Sequence, residues 1–149
     1  NTPAQVGQGV AGLFADSGAS AADRELADRI MRASGQTLWL DSEDGLHRIT
    51  GISGSGPAYV FLFIEALADA AVVGGMPRRQ AYEFAAQTVY GSAKMVMETG
   101  KHPGELKDMV CSPSGTTIAA VRALEANNFR SAVLEGANAA MERSAEMRG

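Results

Sequence analysis

Residues 106–124 concentrate the chain's chemistry. After Val110-Cys111 comes Ser112-Pro113-Ser114-Gly115-Thr116-Thr117, and a helical apolar pattern begins at once with Ile118. A helix start leaves its first backbone N–H groups without intrahelical partners, and the helix dipole favours negative charge there. One reading is a carboxylate held by the amides of Gly115, Thr116 and Thr117, with Ser112 adding a hydroxyl. The other is a helix start capped by Ser114 or Thr116, and residue types alone favour the cap.

Other reactive side chains suit structural roles better. Cys111 has neither histidine near it in sequence, so it reads as a small buried residue rather than a nucleophile. His47 and His102 are too few for a zinc site and read as surface or capping residues; no metal is expected. Glu65 and Asp69 share one helical face, which suits a stripe bonded to a neighbouring helix better than an acid/base pair without a partner. Ser53-Gly54-Ser55-Gly56-Pro57 has the glycines of a phosphate loop but neither a preceding dinucleotide fingerprint nor a following lysine.

The elements that must position these residues fall into two groups. Residues 6–14 read as a glycine-rich strand and Thr37 to Leu40 as a short buried one. Between them Ser20 and Asp23 form a capping box, Leu26, Ile30 and Ala33 line one face, and Gly35 marks the helix end. From Asp41 onward only helices are expected: a short one over 43–50, a break at Gly51 to Gly56, then Ala58 to Val73, Arg78 to Thr99, Pro103 to Val110, Gly115 to Ala126 and Phe129 to Met147. The division is therefore 1–40, an α/β piece, and 41–149, all helical. Ala58 to Val73 is apolar nearly all round and must be covered on almost every side. Phe129, Val133, Gly136, Ala140, Ser144 and Met147 form a helix-packing seam, and together these faces call for a second copy of the chain.

Composition narrows the partners. A net charge of -4 with scattered Lys and Arg argues against nucleic acid or an anionic membrane surface. The single cysteine cannot close an intramolecular disulfide, which fits a reducing, cytoplasmic setting. Asn1-Thr2-Pro3-Ala4-Gln5 has no signal-peptide character, and the missing initiator Met suggests that other residues precede it.

Pro103-Gly104-Glu105-Leu106-Lys107-Asp108 with Val110-Cys111-Ser112-Pro113-Ser114-Gly115-Thr116-Thr117-Ile118 closely resembles the signature of pyrroline-5-carboxylate reductases. Ile52-Ser53-Gly54-Ser55-Gly56-Pro57-Ala58-Tyr59 resembles a second hallmark of that family, and Asn1-Thr2-Pro3-Ala4 a third. One departure is Ser114, where family members usually have Gly. The resemblance implies a mainly α fold, a helical-bundle dimerisation domain like the carboxy-terminal part of 6-phosphogluconate dehydrogenase, preceded by a small α/β remnant of a Rossmann domain. It implies reduction of 1-pyrroline-5-carboxylate to L-proline, the last step of proline biosynthesis, with NADPH or NADH, in a homodimer or an oligomer built from dimers.

By the same resemblance, Ser112, Gly115, Thr116 and Thr117 grip the substrate carboxylate and the Thr117 hydroxyl hydrogen-bonds the ring nitrogen. Asn1, Thr2 and Pro3 lie beside the nicotinamide, although here they form an end expected to be loose. The Ser53 to Pro57 segment either brings the long helix to the active-site cleft or is a break with tight packing. No Gly-x-Gly-x-x-Gly occurs, so this chain alone is expected not to turn over. Two rival readings are a non-catalytic helical oligomerisation module and a hydroxyacid dehydrogenase. The latter typically uses a lysine in the long helix, and Ala58 to Val73 has none.

Overall fold

The computed structural model describes residues 1–148. Its element order is β1 (Gly9–Leu13), α1 (Ala21–Met31), β2 (Gly35–Trp39), α2 (Gly45–Ile49), α3 (Gly56–Val73), α4 (Arg78–Thr99), α5 (Pro103–Val110), α6 (Thr116–Ala126) and α7 (Phe129–Glu146). The expected mainly helical architecture with a small α/β piece is what the chain adopts. It divides into two compact units, one of Asn1–Tyr59 with Val133–Gly149 and the other of Val60–Ala132.

In the first unit β1 and β2 pair in parallel, Gly9 opposite Gly35 through Leu13 opposite Trp39. The strand expected over residues 6–14 is shorter, because Thr2–Val6 forms a 3-10 turn that Gly7 ends at φ 70. α1 starts as expected: the Ser20 hydroxyl accepts from the Asp23 amide while the Asp23 carboxylate accepts from the Ser20 amide. Gly35 does not terminate α1 itself; a 3-10 turn over Arg32–Ser34 intervenes, and Gly35 opens β2 at φ 147. β2 is tied to α1 by the buried Thr37, 8% exposed, whose hydroxyl donates to Asp28 Oδ1 at 2.5 Å. Bonds from Arg32, first, and then from Thr37 hold the Asp28 carboxyl below its ordinary range.

The break expected at Gly51 to Gly56 is instead a π-helical turn, Thr50–Gly54, carrying the helix of α2 towards α3. Its amide from Ser55 reaches back to the Thr50 carbonyl at 2.8 Å, an i to i+5 bond. Gly51 makes the turn possible. A Cβ there would overlap Met141 Cγ and lie 3.0 Å from the Ala137 carbonyl, so only glycine lets the turn press against α7. The Tyr59 hydroxyl bonds the Gly51 and Gly136 carbonyls at 3.3 and 3.4 Å, and His47 Nδ1 lies 3.0 Å from Ser144 Oγ.

In the second unit α3 and α4 form a hairpin whose small residues Ala68, Ala81 and Ala85 are buried at the contact. Alanine permits close approach at little side-chain entropy cost. Asp69 of α3 pairs with Arg78 of α4, which meets half of the bonded-stripe expectation, whereas Glu65 is exposed and has no ion pair among the described residues. Phe63 packs on Phe129 with ring centroids 5.9 Å apart. Val60, Phe61 and Leu62 remain exposed, at 43%, 56% and 68%. The helical run Gly45–Val73 is long and apolar enough to cross a membrane by length and composition, a test that core helices also pass.

Candidate functional site

α5 begins at Pro103, where the His102 ring accepts from the Gly104 amide at 3.0 Å, a capping role. Its last turn brings Lys107 against Asp108, and that carboxylate raises the Lys107 pKa, so the ammonium stays charged throughout the physiological range. At Cys111 the backbone turns extended and the helix stops.

The next four residues close a tight turn. The Gly115 amide donates to the Ser112 carbonyl at 3.1 Å, with Pro113 and Ser114 at the two central positions. Ser114 has φ 57. Proline followed by a positive-φ residue is the pattern of a type II turn, which normally takes glycine at its third position. Ser114 thus occupies, with a side chain, the conformation that glycine would adopt freely.

Gly115 is the N-cap of α6, with extended φ -78 and ψ 170. The expectation of a Ser114 or Thr116 cap is corrected here: no side-chain cap bond is made. The reason is geometric. Gly115, which has no side chain, takes the N-cap place, Ser114 precedes it in the left-handed region, and Thr116 is already the first helical residue. Ser112 lies across the glycine instead, since a Cβ at Gly115 would overlap its Oγ and lie 3.2 Å from its carbonyl oxygen.

Ser112, Gly115, Thr116 and Thr117 therefore belong to one turn and helix start, with Thr117 half-buried and Ser112 and Thr116 exposed. The arrangement offers first-turn amides and hydroxyls with no acidic side chain in that turn. Such a set suits a small anion. Cys111 is a free, half-buried thiol at the turn's entrance. A separate groove of about 370 Å³, floored by Val121, Leu124 and Phe129, contains none of the predicted site residues.

Asn1, Thr2 and Pro3 belong to the first unit. Expected to be loose, they instead open the 3-10 turn, with Asn1 just before it and Thr2 and Pro3 inside it, and the Asn1 side-chain amide donates to the Val10 carbonyl at 2.6 Å. Ser53, which sequence reasoning did not single out as an individual residue, places its hydroxyl 3.2 Å from the Ile49 carbonyl and 3.4 Å from that of Val10. Its only sequence signal is its place in the glycine- and serine-rich segment.

The chain is similar to the pyrroline-5-carboxylate reductase of Escherichia coli, 54% identical over 147 residues, which are 99% of this chain and 54% of that protein. The corresponding protein of Arabidopsis thaliana is 48% identical, with 99% of this chain and 53% of that protein covered. The chain thus spans about half the length of the curated relatives it matches. Among solved structures, a pyrroline-5-carboxylate reductase from Coxiella burnetii superimposes with a TM-score of 0.93 at 42% identity, covering 98% of this chain and 54% of that one. A Plasmodium falciparum pyrroline carboxylate reductase with NADP bound gives 0.90 at 34% identity, covering all of this chain and 56% of that one. A family model described as pyrroline-5-carboxylate reductase dimerisation matches residues 43–147, most of the chain, and the chain belongs to that family.

Proposed function

We propose that this chain is the substrate-binding and dimer-forming half of a pyrroline-5-carboxylate reductase that makes L-proline with NADPH or NADH in the cytoplasm. The observation that carries the proposal is the start of α6, uncapped by any side chain, behind the Ser112 to Gly115 turn. In this reading the amides of Gly115, Thr116 and Thr117 hold the substrate carboxylate, and Ser112 adds a hydroxyl. Anchoring one end of a small rigid ring fixes the rest, so binding alone sets the orientation of its C=N bond. The Thr117 hydroxyl donates to or accepts from the ring nitrogen according to that atom's protonation state. A protonated imine is already electrophilic, and the protein supplies no nucleophile.

When bound, the reduced nicotinamide supplies the hydride. Asn1, Thr2 and Pro3 carry no side-chain charge and no glycine fingerprint. They fit the neutral nicotinamide end of the cofactor rather than its pyrophosphate, whose seat is absent from this sequence, and the isolated chain is expected to be inactive. Residues 1–40 belong, in this proposal, with the dinucleotide-binding domain and 41–149 with the dimer. The exposed Val60, Phe61 and Leu62 suit burial against a second copy, from which a homodimer or an oligomer of dimers is built.

The test is Thr117→Ala in a full-length reductase carrying this chain. Turnover should fall roughly 100-fold or more with the dimer intact, and Thr117→Ser should recover most of it. Unchanged kinetics would reduce the turn to a helix start in an oligomerisation module.

A further inference from the structure

We propose that Ser53 is a positioning residue for the Asn1–Pro3 turn, acting through the Val10 carbonyl that both side chains reach. The inference rests on the reading of Asn1–Pro3 as the cofactor-facing turn and adds to it what fixes that turn in place.

Asparagine is among the best helix-capping residues, yet Asn1 makes no capping bond to the 3-10 turn it precedes. Its amide instead donates to the carbonyl of Val10 in β1 at 2.6 Å. That carbonyl has two lone pairs, and the Ser53 hydroxyl approaches the same oxygen at 3.4 Å. The hydroxyl has one proton, divided between Val10 and Ile49, the latter at 3.2 Å. Ser53 is thereby a bridge between the α2–α3 helical run and the strand from which Asn1 hangs.

The bridge exists because the helix widens. Ser53 is the fourth residue of the π-turn, a local expansion that recurs at functional sites because it re-aims side chains that an α-helix would point elsewhere. The π-turn itself is firmly seated: Gly51 is buried against α7, and its carbonyl accepts from Tyr59. Asn1 is exposed and has few restraints of its own. Position therefore passes from the seated turn, through Ser53 and the Val10 carbonyl, to the exposed turn.

The experiment uses a full-length reductase carrying this chain, with NADPH as the probe. It reads the NADPH dissociation constant by fluorescence titration, amide exchange across Thr2–Val6, and the substrate KM. Ser53→Ala should weaken NADPH about three- to tenfold, the range of one modest hydrogen bond. Exchange at Thr2–Val6 should quicken, while the substrate KM stays within about twofold. Ser53→Thr, which keeps the hydroxyl, should restore both. In an Asn1→Ala background Ser53→Ala should add less than it does alone.

If Asn1→Ala weakens NADPH while Ser53→Ala changes neither affinity nor exchange, the Ser53 proposal is wrong and the cofactor-facing reading survives. If Asn1→Ala also leaves NADPH binding untouched, that reading fails. Should Ser53→Ala not fold, Ser53→Cys, similar in size but a weak donor, carries the same expectations.

Discussion

Gly51→Ala tests the seat of the π-turn most directly. The added Cβ would overlap Met141 Cγ and stand 3.0 Å from the Ala137 carbonyl and 3.3 Å from the Met141 amide. Met141 can swing away, but the backbone atoms of α7 cannot, so the turn and the helix must separate. Overpacking of this kind costs about 1–3 kcal/mol. Weakening the Tyr59 bond to the Gly51 carbonyl costs about 1 kcal/mol more, and replacing glycine by a better helix former returns about 1 kcal/mol. The net is destabilisation by about 2 kcal/mol, or a fall in Tm of roughly 4–8 °C for a chain of this size. Gly54 in the same turn is the control, since its Cβ would meet nothing closer than Thr50 Cγ2 at 3.6 Å. Gly54→Ala should be neutral or stabilise by up to about 1 kcal/mol. Both variants are compared by thermal and urea unfolding at one protein concentration, because association shifts the midpoint. If Gly51→Ala is as stable as Gly54→Ala, the close seating of the turn on α7 is refuted.

Three further perturbations address other parts of the molecule. Ser114→Gly removes a side chain held at φ 57 and should stabilise by up to about 1 kcal/mol, the left-handed cost less the added freedom of the unfolded chain, as read from the urea midpoint. Gly115→Ala should push Ser112 off the turn and raise the substrate KM about tenfold or more with little change in Tm, and an unchanged KM would separate the turn from the substrate. Asp28, whose carboxyl is held low by Arg32 and Thr37, should contribute stability that is complete above the ordinary carboxylate range and lost as pH falls through its lowered folded value. Urea unfolding of Asp28→Asn should accordingly show a smaller loss between neutral and strongly acidic pH than the parent protein.

Much of the architecture could be read directly because local chemistry dictated it. Ser20 and Asp23 announced α1, Gly74 and Pro77 separated α3 from α4, and Pro103 opened α5. These signals work within a few residues and survive any tertiary context. The π-turn had no comparable signal: glycine and serine at 51–56 read as a break, and only contact with α7, some ninety residues away, selects the widened helix. The 3-10 turn at Thr2–Val6 was likewise hidden beneath a glycine-rich pattern that passed for a longer strand. At the candidate site, residue types left the cap and the anion cradle both open. The structure removes the side-chain cap through a backbone angle at Ser114, a non-glycine residue in a conformation its type rarely adopts. The contacts of Tyr59 with Gly136 and of His47 with Ser144 were invisible for a simpler reason: they span 77 and 97 residues of the chain.

The wide turn at Thr50–Gly54 also sets an angular phase. A π-turn holds one residue more than the α-turn that would replace it, and each α-helical residue advances about 100° around the axis. Were the same residues wound as regular α-helix, the extra one would rotate the first turn of α3 by nearly a third of a revolution, whereas the wider turn absorbs it. Without the widening Tyr59 would swing away from both carbonyls that receive its proton. The widening is therefore what keeps α3 in phase while the segment carries one more residue, and deleting one residue there should let the helix close into regular α form with Tyr59 near its present place.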